Sequence, residues 1–294
     1  MDKILFTLHV MWYEYKMVNE MLDTLKAAIE ESPLDVDIMI CLNGQTYIED
    51  PVPGVDQNEL FGEFLNHPVL ENATVIFKTM DKPFYNIGDW RRDIYGDKYD
   101  YKYIVWGESD CLIPYDYFYL LSNITITEPH FVSLANRQMW DDTWHCVEHP
   151  YIREWESENG DIMIKEPFSC GHIITADDLN NFNSKYDPEY VKLQRLKIDG
   201  NMTALGRNLP YPFLPDDLHF AREDYCMQQF FQMHNVTQYL VHTRLKGHNR
   251  MHPNKRLLTD NTRDDKVFKK YEGQAYESII RFLNKVKYER INNR

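Results

Sequence analysis

The 294-residue sequence lacks long hydrophobic runs, paired cysteines and several common catalytic motifs. No apolar run approaches the roughly 18 to 20 residues that span a bilayer, and a helical pattern follows the short apolar N-terminal stretch, which argues against a signal peptide. Five dispersed cysteines without a C-x-x-C pair favour reduced, buried thiols. Glycine-rich phosphate loops, a nucleophile elbow and kinase signatures are missing. We therefore expect a cytoplasmic protein outside those enzyme classes.

Negative charge is scarce at the C-terminal end, although the whole chain has a formal charge of -14. Residues 240–294 carry 14 Lys and Arg against 6 Asp and Glu, and the remainder carries 18 against 40. This asymmetry indicates a basic end that faces a nucleic acid, an anionic membrane or a phosphorylated ligand. We predict a main domain over residues 1–253 and a basic amphipathic helical extension over residues 254–294.

Apolar runs and helical periodicity alternate along the first half of the chain. Near-continuous apolar runs predict buried strands at residues 4–10, 36–42, 73–78 and 102–106. Helical spacing of apolar residues predicts a helix over residues 15–31. This alternation is typical of an α/β fold, a mostly parallel sheet with helices on both faces. Later patterns predict strands at residues 130–134 and 239–242 and helices at residues 222–233 and 265–291.

Polar residues lie near or just after the carboxyl ends of these predicted strands, where ligands bind in open α/β sheets. They are Thr7, His9, Asn43 and the acidic segment Glu108-Ser109-Asp110. Because Mg²⁺ and Mn²⁺ prefer oxygen ligands, a strand-end carboxylate could hold either cation while substrate phosphates complete its coordination. The alternative interpretation of the acidic segment is a solvated junction between strand and turn.

The order of elements, with "YIVWGESDCLIP" as the fourth strand, resembles the GT-A fold glycosyltransferases, particularly the family 2 type. In that family a D-x-D motif binds a divalent metal and the nucleotide-sugar diphosphate. The resemblance implies this role for Glu108-Ser109-Asp110, with Asp110 the better metal ligand and Glu108 a variant first position. It also places Asn43 near the nucleotide base, where the family usually has an acidic residue.

"NIGDWRRDIYG" resembles the family's N-x-G-x-x-x-A-R-N-x-G segment. The match lies in Asn86, Gly88 and Gly96, while Arg91 and Arg92 precede the usual arginine position. The resemblance implies that these residues bind the donor. A plain helix start with solvated arginines is the alternative.

"FARED" (residues 220–224) resembles the acidic pair that opens the family's acceptor-site helix, and "FSCGHIIT" (residues 168–175) resembles its acceptor-side strand. Inverting sugar transfer needs a carboxylate that takes the proton of the acceptor hydroxyl. Asp224 is the first candidate for this base and Glu223 the second. The alternative is that both carboxylates simply stabilise a helix N-terminus.

A histidine downstream of the acidic pair often supplies a further metal ligand in this family. His242 resembles it, and His248 is the rival. A competing zinc site is suggested by "HCVEH" (residues 145–149), whose histidines have the i, i+4 spacing of a helical zinc site. Cys146 replaces the glutamate of H-E-x-x-H, which argues against zinc hydrolysis.

The resemblance implies transfer of a sugar from a nucleotide diphosphate donor, such as a UDP-sugar, with Mn²⁺ or Mg²⁺ as cofactor. The acceptor stays open between a glycan, which we favour slightly, and hydroxymethylated pyrimidines in phage DNA, for which the basic C-terminal end would supply phosphate contacts. That basic helix could equally contact an anionic membrane. A non-catalytic sugar- or nucleotide-binding module and a nucleotidyltransferase are the alternatives from other classes.

Overall fold

A computed structural model describes residues 3–11, 15–43, 62, 64–78, 87–96, 100–109, 111–140, 146–147, 191–192, 202–219, 222–248 and 266–292. The strands of this part are β1 (Lys3–Met11), β2 (Val36–Asn43), β3 (Thr74–Lys78), β4 (Tyr101–Gly107), β5 (Cys111–Leu112), β6 (His130–Trp140), β7 (Cys146–Val147), β8 (Val191–Lys192), β9 (Thr203–Gly206) and β10 (Thr237–His248). The helices are α1 (Tyr15–Glu30), α2 (Ile87–Gly96), α3 (Tyr117–Ser122), α4 (Glu223–Met233) and α5 (Lys266–Asn292), with a 3₁₀ turn at Pro68–Leu70.

These strands form a single sheet in the order β3-β2-β1-β4-β9-β6-β10-β5, with β7 beside β6 and β8 beside β10. Strand β1 runs parallel to β2 and β4, β2 runs parallel to β3, and β6 runs parallel to β10. Strand β9 is antiparallel to both of its neighbours, β4 and β6. The parallel strands β1 to β4 therefore all end on one side of the sheet, here called the carboxyl end.

The two faces of the sheet have separate hydrophobic cores because side chains alternate along a strand. Ile4, Phe6 and Leu8 of β1 pack with α1 and α3 on one face. Leu5 of the same strand and Trp106 of β4 pack on the other face, with α2, α4 and α5. Helices thus cover both faces, which confirms the predicted α/β fold class.

Helix α5 packs on α4 through one apolar stripe. Ala275 and Ile279 are buried in the second core, and Phe282 stacks on Phe230 with ring centroids 5.7 Å apart. The predicted boundary between residues 253 and 254 lies outside the described residues, so the division into two domains stays a prediction. In the described part of the chain, every helix is too short or too polar to cross a membrane.

The sequence patterns locate most elements to within a few residues, and the exceptions have physical reasons. Strands β6 and β10 are longer than predicted because their polar second halves pair with each other in parallel register. Strand β9 and helix α3 were not predicted, since each spans only four to six residues. Cys146 and Val147 form β7, so the described part of "HCVEH" is a strand and not the helix that the competing zinc interpretation required. The segment 168–175, which resembles an acceptor-side strand in the sequence, lies outside the described residues.

Candidate active site

The candidate site lies at the carboxyl end of β1 and β4, which are adjacent parallel strands. Leu8 pairs with Gly107 in the register of the two strands, so His9 and Glu108 each follow that pair by one residue. Helix α2 begins on the same side, because it lies between the end of β3 and the start of β4 in a parallel arrangement. The sheet therefore brings the ends of β1 and β4 together with the first turns of α2.

Arg91 of α2 connects two acidic segments that are far apart in sequence. Its Nη2 donates to Oε1 of Glu108 and its Nη1 to Oε1 of Glu223, both at 2.7 Å. The guanidinium carbon lies 4.8 Å from the centre of the Trp106 ring. The Arg91 side chain is only 2% exposed, so these charge-assisted hydrogen bonds compensate for its loss of solvation. The "GESD" segment and the "RED" segment thus share one arginine.

Glycines allow the backbone to approach closely at two points of the site. A Cβ on Gly107 would lie 2.3 Å from the Phe6 ring, so only glycine fits at this position, directly before Glu108. A Cβ on Gly88 would lie 2.7 Å from the carbonyl oxygen of Leu218 and 2.9 Å from that of His219. The N-terminus of α2 and the segment before α4 therefore pack backbone against backbone.

A second polar cluster holds these two segments together. Arg92 donates from Nη2 to Oδ1 of Asp89 at 2.7 Å, and from Nη1 to the carbonyl oxygen of Pro215 at 2.8 Å. Nδ1 of His219 lies 2.7 Å from the same Asp89 oxygen. Arg92 therefore fixes the backbone before α4.

His9 is held in its neutral form at the end of β1. Burial, with a smaller contribution from the positive charge of Arg91, lowers the pKa of His9 to about 3. A neutral imidazole can donate from one ring nitrogen and accept at the other, so His9 is a polar but uncharged neighbour of Arg91 at neutral pH.

Helix α4 begins with the acidic pair that was predicted to supply the catalytic base. Arg222, which precedes the helix, has a left-handed backbone with φ of 63°. Glu223 binds Arg91, whereas Oδ1 of the half-buried Asp224 accepts a hydrogen bond from the Tyr225 backbone N–H at 2.7 Å. One turn on, burial and then the Glu223 charge raise the pKa of Cys226 to about 12.

The structure brings together several of the predicted site residues. Thr7 is buried, and its hydroxyl donates to the Val105 carbonyl at 2.9 Å, so it cross-links β1 and β4. Ser109 is buried beside Glu108. Donor binding by the predicted set stays a prediction for all of its members: Thr7, His9, Asn43, Asn86, Arg91, Arg92, Glu108 and Ser109.

Other predicted residues are only partly described or lie outside the described part. Asn43 ends β2 and His242 lies in β10, where the register with β6 shifts, but the side chains of both are outside the described set. Asn86 and Asp110 lie outside the described residues altogether. The described part therefore contains only Glu108 of the predicted metal ligands, Asp110, Glu108 and His242, as a full side chain.

The described residues do not by themselves fit a divalent metal. No group of three or more His, Cys, Asp or Glu side chains with metal-binding geometry occurs in the described part of the chain. Glu108 offers a hard oxygen ligand, but its Oε1 is already 2.7 Å from the Arg91 guanidinium. Metal binding by Asp110 with Glu108 and His242 stays a prediction, and no chemical step below depends on it.

The sequence analysis missed three residues of this region: Asp89, Trp106 and His219. Asp89 occupies the first turn of α2, where acidic residues are common for electrostatic reasons alone, so its pairing with His219 left no local signal. The indole Nε1 atoms of Trp90 and Trp106 are buried without a hydrogen-bond partner among the described residues. Such orphan donors mark positions where a water or a ligand group would be stabilising.

Comparison with known proteins gives structural similarities only, since no family model and no curated protein matches the chain. Similar solved structures include S. aureus TarS 1–349 in complex with UDP-GlcNAc, at 11% identity and a TM-score of 0.45 over 87% of this chain. The complex of TarS 1–349 with UDP is 12% identical, with a TM-score of 0.46 over 85% of this chain. Mannosyl-3-phosphoglycerate synthase from Rubrobacter xylanophilus is 11% identical, with a TM-score of 0.43 over 97% of this chain.

This chain covers 60% and 61% of the two TarS 1–349 structures and 75% of the synthase. At these identities and TM-scores the similarities carry no argument about activity, donor or acceptor.

Proposed function

We propose that the protein is a glycosyltransferase that moves a sugar from a nucleotide diphosphate donor to an acceptor hydroxyl, with inversion at the anomeric carbon. The observation that carries the proposal is the Arg91 bridge between Glu108 and Glu223. It joins the strand-end acidic segment to the acidic pair of α4 at the carboxyl end of the sheet, where ligands bind in α/β folds. Inverting transfer requires such a convergence of donor and acceptor elements.

Asp224 is the proposed base that accepts the proton of the attacking acceptor hydroxyl. Its neighbour Glu223 is committed to Arg91 by a 2.7 Å ion pair, so Glu223 serves to position the first turn of α4. Asp224 lies in the same turn and is half-buried rather than enclosed. Loss of a general base typically lowers the rate by about 10² to 10⁴-fold.

The cofactor and acceptor are also part of the proposal. Mn²⁺ or Mg²⁺ bound through Asp110 would neutralise the departing nucleoside diphosphate. We favour a glycan acceptor over hydroxymethylated DNA, because the acidic main part of the chain repels a polyanion. The basic α5 helix is the element that would contact DNA phosphates or an anionic membrane in the alternatives.

A non-catalytic sugar- or nucleotide-binding module is the second candidate. The observation in its favour is that one arginine binds two carboxylates of the site, Glu108 and Glu223. A module of this kind would bind a nucleotide sugar without turnover, so binding and product release must be measured separately.

The test is nucleoside diphosphate release from a panel of nucleotide sugars, with and without Mn²⁺, for wild type and Asp224→Asn. The matched control is Asp35→Asn, since Asp35 is exposed just before the start of β2, at the end of the sheet away from the site, and we expect its replacement to leave release unchanged. Asp110→Ala tests the metal part of the proposal. Loss of release in Asp224→Asn, with normal release in the control variant, supports the role of Asp224 as the base. An inverted anomer in the product, measured by NMR, supports inversion.

Calorimetric titration of the same donors separates the two candidates. Binding of a nucleotide sugar without release, at any metal concentration and with glycan or hydroxymethylated DNA acceptors present, would favour the binding module. Equal release by wild type and Asp224→Asn would overturn the assignment of the base.

A further inference from the structure

Asp89 and His219 form an oriented carboxylate–imidazole pair at the start of α2. Nδ1 of His219 lies 2.7 Å from Oδ1 of Asp89, and Arg92 donates to the same oxygen at 2.7 Å. An ionised carboxylate only accepts hydrogen bonds, so Nδ1 of the ring must carry a proton. Nε2 is then the acceptor of the neutral ring, and it belongs to a side chain that is 47% exposed.

The backbone of His219 is fixed as well as its ring. The Gly88 N–H donates to the His219 carbonyl oxygen at 3.1 Å, and Gly88 has no room for a Cβ beside that carbonyl. Asp89 is 6% exposed and is itself held by Arg92. A side chain held from both sides in this way presents its remaining polar atom in one orientation, which is the requirement for a selective binding group.

The pair lies at the same end of the sheet as the proposed active site. Asp89 lies in the first turn of α2, which begins at the carboxyl end of the sheet, on the side of the helix that carries Arg92. Helices α2 and α4 are fixed to each other by the Arg91–Glu223 ion pair at 2.7 Å. The pair therefore adds an exposed imidazole at this end of the sheet that the predicted site residues do not include.

We propose that Asp89 and His219 form a hydroxyl-binding subsite, in which Nε2 of His219 accepts a hydrogen bond from a sugar hydroxyl. The inference rests on the proposed function for the identity of the ligand as a carbohydrate. A hydroxyl suits the pair better than a phosphate, because the Asp89 carboxylate repels anions while it strengthens Nε2 as an acceptor. The hydroxyl belongs to the donor sugar or to the acceptor, and the experiment below distinguishes these sources.

The first readout is the ¹⁵N NMR spectrum of the histidine side chains of the full chain, which does not require catalysis. The His219 resonances are assigned by their loss in His219→Asn. We expect an Nδ1-protonated ring in the wild type and a mixed tautomer in Asp89→Asn. A mixed tautomer in the wild type would overturn the oriented pair.

Ligand probes then test the subsite. The panel contains nucleotide sugars, the corresponding nucleoside diphosphates and free sugars. A shift of the Nε2 resonance with a nucleotide sugar, but not with its diphosphate, identifies the donor sugar, and a shift with free sugars alone identifies the acceptor. Equal shifts with the diphosphate would overturn the proposal in favour of phosphate contact. No shift with any sugar would also overturn it.

Variants at His219 give a second readout where a donor is turned over. His219→Gln keeps a hydrogen-bonding group near the position of Nε2, and His219→Asn keeps one near Nδ1. We expect His219→Asn to raise KM by about 5- to 10-fold, the effect of one hydrogen bond, and His219→Gln to restore part of the loss. Equal KM values for both variants and wild type would overturn the contact.

The failure of this inference and that of the proposed function have different signatures. If the protein turns over a donor but no sugar shifts the His219 resonance, the subsite is contradicted and the proposed transferase activity is not. A His219 resonance that responds to sugars without any turnover keeps the subsite and favours the binding module.

Discussion

The two faces of the sheet differ in the kinds of side chain that they bury. On the α1 face, apolar side chains dominate the core, and buried polar side chains form neutral contacts, such as the hydroxyl of Tyr103 with Nε2 of His130 at 2.7 Å. On the α2 and α4 face, a buried arginine binds two carboxylates within 2.7 Å. Replacement of a buried ion pair by apolar residues is often neutral or stabilising, so such a pair is poor evidence for a purely structural role. The charged face is therefore the one that we associate with function.

The largest effect is expected when the charge balance of that face is broken. Arg91→Met leaves Glu108 and Glu223 without their shared cation, and we expect the free energy of unfolding to fall by about 3 to 5 kcal/mol. Urea denaturation measures the change. The control on the other face is Lys26→Met, which removes a half-exposed pair with Glu30 at 3.9 Å and should cost less than about 0.5 kcal/mol. Similar losses in the two variants would contradict the difference between the faces.

The next effect comes from the close backbone contact of α2. Gly88→Ala places a Cβ against two carbonyl oxygens, and we expect a loss of about 1 to 3 kcal/mol in denaturation experiments. Gly273→Ala in α5 is the matched control, since nothing lies within 4 Å of its Cβ. That variant should gain about 0.5 to 1 kcal/mol from helix propensity. A stabilising Gly88→Ala would show that the segment before α4 can move away.

The pH dependence of stability sharpens the comparison through His9. Its pKa is lowered from 6.5 to about 3, so the unfolded chain binds the extra proton between these values. Stability therefore rises with pH across this window, and this one group contributes a slope of at most about 1.4 kcal/mol per pH unit. His9→Gln should flatten the curve of unfolding free energy between pH 4 and 6.5. If the curves of unfolding free energy against pH were parallel for His9→Gln and wild type, the pH dependence would come from groups other than His9.

The smallest effect is expected at the surface of the charged face. Arg222 donates to Oε1 of Glu272 at 2.6 Å and lies over the Tyr276 ring at 5.3 Å, but its side chain is 47% exposed. We expect Glu272→Gln to cost no more than about 1 kcal/mol, and less at high salt, in denaturation experiments. Glu30→Gln on α1 supplies the matched control. A cost like that of Arg91→Met would mean that the exposed pair also sets the site.

The sequence predicted the parts of the fold that depend on local pattern. Continuous apolar runs located β1 to β4, and helical spacing located α1, α4 and α5, because these signals reflect burial of each element. The four residues of β9 carried no comparable signal, since an antiparallel strand inserted between β4 and β6 is specified by tertiary pairing. Fold class was therefore accessible from sequence, while strand order was not.

The candidate site was predictable in position but not in connection. The acidic residues of "GESD" and "RED" were identified from their places at a strand end and a helix start. That one arginine joins them depends on a contact between residues 132 positions apart, which no local pattern contains. The Asp89–His219 pair, 130 positions apart, escaped for the same reason.

The attachment of α5 has a consequence for the order in which the site forms. Asp217 binds Ser278 and Arg281, and Arg222 binds Glu272, so the segment that leads into Glu223 is held by a helix made 50 to 64 residues later. Because α5 follows β10, the last strand of the described sheet, these contacts can form only after that sheet has been synthesised. During synthesis, the strands of the sheet therefore leave the ribosome before α5, the helix that holds the segment leading into Glu223. The charged face matures only after α5 has emerged, whereas the α1 face draws on the earliest part of the chain.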